Sequence, residues 1–153
     1  KPEIETLEPA FFDTVFTNYA MIAEENEKGF TAQNQVGRPI NTDKTLLKQL
    51  MTILFDNAIK YTEEDGHVTF TVRTNDRHLY ISVADNGPGI SDSDKKKIFD
   101  RFYRVDKART RQKGGFGLGL SLAQQIVLAL KGTIVVKDNQ PKGTIFEVKI
   151  TGV

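Results

Sequence analysis

The residues Asp85-Asn86-Gly87-Pro88-Gly89-Ile90 put a carboxylate at the head of a D-x-G-x-G turn. A second glycine run, Gly115, Gly117 and Gly119, stands upstream of an apolar stretch of helical period. Glycine's bare backbone lets main-chain amides come close to anionic oxygens, and the amides at a helix N-terminus favour negative charge. Together the two runs describe a nucleotide pocket with a closing flap. The acid does not suit a phosphate cradle, because it would repel the phosphate it faced. Asp85 must therefore face a hydrogen-bond donor, such as the amino group of a base.

Two further polar residues interrupt apolar patterns. Asn57 falls on the stripe of Leu50 and Leu54, and an amide on that face needs partners. Asp85 likewise continues the inward phase of Leu79, Ile81 and Val83, where an unpaired carboxylate costs several kcal/mol, on the order given for desolvated charges. Lys60 follows Asn57 on the same side of the helix. An amide oxygen beside an ammonium suits Mg²⁺ with phosphates, because Mg²⁺ takes few protein ligands and keeps waters and phosphate oxygens. Taken singly, Asn57 could bond buried backbone groups, Lys60 could be a solvated lysine, and Tyr61 could either stack on a base or sit in the core.

Other glycine-loop chemistries are excluded. The pattern G-x-G-x-x-G fails at Leu120 and no apolar strand precedes it, which removes a dinucleotide fold; the Lys-Ser/Thr pair of a P-loop is also missing. A glycine hinge remains, delivering amides at a helix N-terminus to anionic oxygens.

With 153 residues, 39% of them apolar, and a mean hydropathy of −0.37, the chain suits one domain, residues 1–153, with a sizeable core. No run approaches the ~18 apolar residues of a membrane span. The start at Lys1-Pro2-Glu3 suggests a piece of a longer protein. The absence of cysteine excludes disulfides and thiolate metal sites. The net charge of +1 hides an asymmetry, with seven acids and two bases in residues 1–30 but nine bases and two acids in Lys95–Lys113. A solvated surface is the plain reading of such a run, whereas a pI near 8.1 argues against nucleic acid. With glycines on either side, a polyphosphate partner fits better.

These residues need elements to hold them. Phe12, Val15, Phe16, Tyr19, Ile22 and Ala23 predict a helix over 11–28, stopped by Gly29. Phe30, Ala32 and Val36 alternate weakly as a strand, and Gly37-Arg38-Pro39 breaks the chain before a second helix from Asp43 to Tyr61. Val68, Phe70, Val72 and then Leu79, Ile81, Val83 form a hairpin across Thr74–Arg77. Ser91 and Asp94 make a capping box that opens a short helix reaching Tyr103. Residues 104–117 have no period and form a loop, followed by a helix through Leu120, Ala123, Ile126, Val127 and Leu130 that ends at Gly132. A last hairpin joins Thr133–Lys137 to Thr144–Ile150 across Asn139–Gly143. This order predicts an α+β sandwich rather than a βαβ series.

The collected residues make the chain resemble the ATP-binding catalytic domain of bacterial sensor histidine kinases, within the superfamily shared with gyrase, Hsp90 and MutL. Asp56–Thr62 resembles the N box, Asp85–Ile90 the G1 box, Ile98–Arg104 the F box, Gly115–Leu120 the G2 box and Lys142-Gly143-Thr144 the final glycine-threonine motif. The resemblance implies a Bergerat-type fold, a two-layer α/β sandwich with a mixed, mostly antiparallel sheet backed by three helices. It implies ATP and Mg²⁺ as ligands. Asn57 would hold the metal, Lys60 the phosphates, Tyr61 the adenine face, and Asp85 would accept the adenine amino hydrogen bond. Gly87, Gly89, Ile90, Gly115, Gly117, Leu118, Gly119, Leu120 and Thr144 would complete the nucleotide site, and Arg104 would reach the terminal phosphate. The ATP lid would span about residues 105–116.

The implied partners are a histidine phosphoacceptor and dimerisation domain of the same parent protein and, downstream, a response-regulator receiver domain. Nucleic acid and direct membrane contact are not expected. The parent would be a membrane sensor kinase with this domain in the bacterial cytoplasm. Three departures stand out. Ile53 occupies a position where many members carry Asn, His or Glu, and where a Glu activates water in hydrolysing relatives. Phe116 fills a G2 position where a small or polar residue is commoner. Neither His67 nor His78 lies in an H-E-x-x-x-P setting, so the phosphoacceptor must be elsewhere in the parent. A non-catalytic ATP sensor and a hydrolysing ATPase are the alternative functions.

Overall fold

The structure, a computed structural model, describes residues 1–103 and 119–153. The described elements, in order, are β1 (Glu5–Leu7), α1 (Ala10–Glu25), β2 (Gly29–Gln35), β3 (Ile40–Thr42), α2 (Lys44–Tyr61), β4 (His67–Asn75) and β5 (His78–Asp85). They are followed by α3 (Asp92–Lys95), α4 (Gly119–Ala129), β6 (Gly132–Asp138) and β7 (Thr144–Thr151). Five strands form one sheet in the order β2-β4-β5-β7-β6, antiparallel except for the β2/β4 pair. With α1, α2 and α4 on one face of it, this is the expected α+β sandwich.

The core is where the periodicities meet. Val68, Phe70, Val72, Leu79, Ile81, Val83, Phe146, Val148 and Ile150 point from alternate strand positions to the helical layer and are buried. Tyr19 of α1 stacks on Phe55 of α2 with centroids 4.2 Å apart, and Phe16 tilts onto Phe70 at 5.3 Å. Burial pushes the Tyr19 hydroxyl up to about 12, although it shares a 2.8 Å hydrogen bond with the Thr52 hydroxyl. The opposite face of the sheet is polar, with the Arg73 guanidinium 4.0 Å from the Tyr80 ring centroid.

Several expected boundaries are corrected. Helix α1 ends at Glu25, and Glu27, not Gly29, takes the left-handed conformation with φ 57°. The Glu27 and Lys28 amides return to the Glu24 and Ala23 carbonyls in a Schellman closure. Lys131 likewise takes the left-handed conformation (φ 61°) after α4 in place of Gly132, its amide returning to the Leu128 carbonyl at 3.1 Å. The two glycines instead begin β2 and β6. A Cβ on Gly29 would strike the His67 ring, and one on Gly132 the Lys149 carbonyl, so close strand approach is what calls for glycine there.

The strand β1 and its antiparallel partner β3 were not foreseen, because three-residue strands carry too little pattern. The Ser91 hydroxyl accepts from the Asp94 amide as a capping box predicts, but α3 stops at Lys95 and turns carry the chain on to Phe102.

Helix α2 is anchored at its start by Asp43. Its carboxylate accepts from the Leu46 amide at 3.0 Å and from the Glu3 amide at 2.7 Å, so one side chain caps α2 and fixes the chain entering β1. Those two amides, Leu46 first, hold the Asp43 carboxyl below the usual aspartate range. The stabilisation is full above the unfolded pKa and is lost as pH falls through the lowered folded value. Asp43→Ala is expected to cost roughly 1–2 kcal/mol in urea unfolding at neutral pH, with a difference from the parent chain that shrinks in strong acid. An unchanged midpoint at neutral pH would remove this anchor from the account.

Candidate functional site

The end of α2, the end of β5 and the β6–β7 hairpin converge on one place. Helix α2 presents Asn57 half-buried and Lys60 at the surface, and places half-buried Tyr61 in its last turn. Lys28 closes that end, its ammonium donating to the Thr62 and Glu63 carbonyls at 2.6 and 2.9 Å. Asp56 is raised by desolvation, an effect opposed by the charge of Lys60.

Asp85 completes the alternating burial of β5 and is 5% exposed. Its register partner on β7 is Thr144, also buried. The Gly87 amide donates to the Asp85 carboxylate at 2.9 Å, and the Thr144 amide supports it as well. Desolvation outweighs both amides and raises the Asp85 carboxyl above the usual range. An ionised carboxylate offers about four lone-pair sites, so two amides leave capacity for a further donor.

The turn after Asp85 is wedged on both sides. A Cβ on Gly87 would lie 2.5 Å from the Tyr61 carbonyl, and Gly89, at φ +83°, faces the Gly143 carbonyl. Gly143 has φ +110°, and a Cβ there would collide with the Asp85 carbonyl. The turn's Asn86 accepts from the His67 amide at 2.8 Å, which fixes the start of β4. Ile90, half-buried, leads into α3, where the Lys95 ammonium bridges Asp92 at 2.8 Å and Asp138 of β6 at 2.7 Å. Phe99 meets Phe146 edge-on at 6.2 Å, and the Tyr103 hydroxyl donates to the Asp94 carboxylate.

The model of the histidine kinase-, DNA gyrase B-, and HSP90-like ATPases matches residues 42–152. The chain belongs to that ATPase family. It is 70% identical over 150 residues to the sensor protein CiaH of Streptococcus pneumoniae, a match covering 98% of this chain and 34% of that protein. It is 48% identical over 107 residues to the sensor histidine kinase WalK of Bacillus subtilis, covering 69% of this chain and 18% of that one. The chain thus spans about a third of CiaH and less of WalK. Its fold matches the catalytic domain of histidine kinase ThkA with a TM-score of 0.79 at 25% identity, over 98% of each chain. The resemblance read from the sequence is therefore correct: this is an ATPase domain of the kind carried by two-component sensor histidine kinases.

Within this ATPase domain the structure brings Asn57, Lys60, Tyr61, Asp85, Gly87, Gly89 and Thr144 to the junction of α2, β5 and β7. Gly119 opens α4 and is exposed, while Leu120 packs against the core. Arg104, Gly115, Phe116, Gly117, Leu118 and the 105–116 lid lie outside the described residues. Among the described residues no group of three or more His, Cys, Asp or Glu could hold a metal ion. Asn57 fits a sparse Mg²⁺ site nonetheless, because no described residue engages its half-buried amide.

Lys28 and Asn139 were missed as supports, since neither has a spacing signal, and each acts through backbone carbonyls far away in sequence. Gly87→Ala should destabilise the domain by roughly 1–3 kcal/mol, the usual cost of overpacking, because the Tyr61 carbonyl must move. Gly143→Ala should cost more, and Lys149→Ala on the polar face almost nothing, when the three are ranked by thermal unfolding without nucleotide.

Proposed function

We propose that the domain binds Mg-ATP and delivers the γ-phosphoryl group to a histidine on a separate helical dimerisation domain of its parent protein. The parent is a membrane-anchored bacterial sensor kinase with this domain in the cytoplasm, and a response-regulator receiver domain takes the phosphoryl group next. Among the described residues no helix is long and apolar enough to cross a membrane. The observation that carries the proposal is the buried Asp85, whose carboxylate keeps acceptor capacity in a site that a phosphate could not share.

Each residue then has a task. Asp85 accepts from the amino group of adenine, Tyr61 covers the base, and Thr144 holds the acid from the neighbouring strand. Gly87, Gly89 and Ile90 shape the wall beside it. Lys60 meets the phosphates, Arg104 the terminal one, and Gly115, Gly117, Leu118, Gly119 and Leu120 offer backbone amides from the lid's end. Asn57 would hold Mg²⁺, which when bound would neutralise phosphate charge.

The chain's own contribution is positioning and electrostatics, which is most of what phosphoryl transfer requires. A nitrogen–phosphorus bond forms on the incoming imidazole while the bond to the ADP oxygen breaks, and the ring proton leaves the histidine. Hydrolysis is disfavoured because Ile53 offers no group to activate water, and it packs beside the start of α4. The same residue favours a second reading, a non-catalytic module in which nucleotide alters partner contacts without transfer.

Incubating this domain with labelled ATP and the parent's helical histidine domain as a separate polypeptide decides between the two. Acid-labile phosphohistidine is expected on the helical domain and none on this one; intact nucleotide binding with no transfer would select the sensor.

Asp85→Asn isolates the base contact. The native carboxyl gains from protonation in the folded state, and this gain is lost as pH rises through its raised folded value, so an amide should fold at least as stably at neutral pH. ATP affinity should nevertheless fall by more than about tenfold, the scale of losing a hydrogen bond to a charged group. Titration curves matching the parent chain's would refute the adenine role.

A further inference from the structure

Asn139, at the end of β6, has both ends of its amide committed. Its Nδ2 donates to the Asp85 carbonyl at 2.8 Å, and its Oδ1 accepts from the Gln140 amide at 2.9 Å. Its own amide closes the hairpin on the Gly143 carbonyl at 3.0 Å. The same Asp85 carbonyl also lies against Gly143, whose backbone tolerates no Cβ there.

Asp85 ends its strand, so the ladder to β7 stops at the Asp85–Thr144 pair. Beyond it, the peptide that leads from Asp85 into the Gly87 turn is held by this side chain rather than by another strand. Only a side chain with a donor and an acceptor on one short planar group satisfies both contacts. Serine is too short to span them, and aspartate would face the carbonyl with a second acceptor.

We propose that Asn139 is a positioning residue for base selection: it fixes the Asp85 peptide so that the carboxylate faces the amino group of a purine. The proposal rests on the reading of Asp85 as the base-recognition acid. It adds that discrimination for an amino-bearing base depends on the β6–β7 hairpin, an element apart from the Asp85–Ile90 motif.

The test compares binding of ATP with binding of ITP, which has an oxygen in place of the amino group, to the parent chain, Asn139→Asp, Asp85→Ala and the double variant. Asn139→Asp is expected to weaken ATP by about tenfold, the effect of one disturbed hydrogen bond, and to leave ITP within about twofold. The double variant should discriminate no less than Asp85→Ala alone, because the two residues act on one contact.

Equal weakening of both nucleotides by Asn139→Asp would overturn the proposal and leave Asn139 a general brace for the hairpin. If Asp85→Ala itself leaves the preference for ATP over ITP unchanged, the base-recognition reading fails instead. Should Asn139→Asp not fold, Asn139→Ala removes the donor without adding charge, and the same ratio of ATP to ITP affinity decides.

Discussion

A carboxylate buried at the end of the sheet's central strand sets the terms for the rest of this structure. Desolvation alone would drive Asp85 to take up a proton, and two backbone amides oppose that. Both amides belong to segments whose course is fixed by something else. The Gly87 amide is aimed by a turn pressed against the Tyr61 carbonyl, and the Thr144 amide by a strand register that runs unbroken from His78–Thr151 to Asp85–Thr144. A one-residue slip of β7 would turn Phe146, Val148 and Ile150 out of the core, so the hydrophobic pattern of that strand also guarantees the acid its donor.

The same logic ties α2 to the sheet. Its polar residues are useful only if its last turn sits at a fixed height beside β5, and helix ends fray unless their orphan groups are satisfied. Asp43 answers the first turn and Lys28 the carbonyls just past the last one. Between them the helix buries Leu47, Leu50, Met51, Leu54 and Phe55 completely. Asn57 and Lys60 lie beyond that buried run, towards the solvent edge. Packing supplies the rigidity, and the caps determine where along the axis it is spent.

Much of this was legible in the amino-acid sequence because the long elements are strongly periodic. The inward phase of Asp85 follows from Leu79, Ile81 and Val83, and five motifs in order fixed the family. What could not be read depends on contacts distant in sequence. That β2 pairs in parallel with β4 is not encoded in either strand's pattern, and the β1/β3 pair is too short to have one. Gly29 and Gly132 were read as helix stops because glycine favours left-handed backbone, yet Glu27 and Lys131 take that conformation. The glycines answer to a histidine ring and a carbonyl on neighbouring strands, which no local rule can see.

The glycines of the site divide by the same criterion. Gly87 and Gly143 are required by protein atoms already in place, the Tyr61 and Asp85 carbonyls, so their presence would be explained even if nothing bound here. Gly119 is different. Among the described residues a Cβ on it would meet only the Ile53 side chain at 3.6 Å, an ordinary contact, and Gly119 opens α4, where glycine is a weak helix former. Alanine would suit both the space and the helix better. The phosphate contact proposed for Gly119 needs a bare backbone at the opening of α4, and this exposed glycine supplies one.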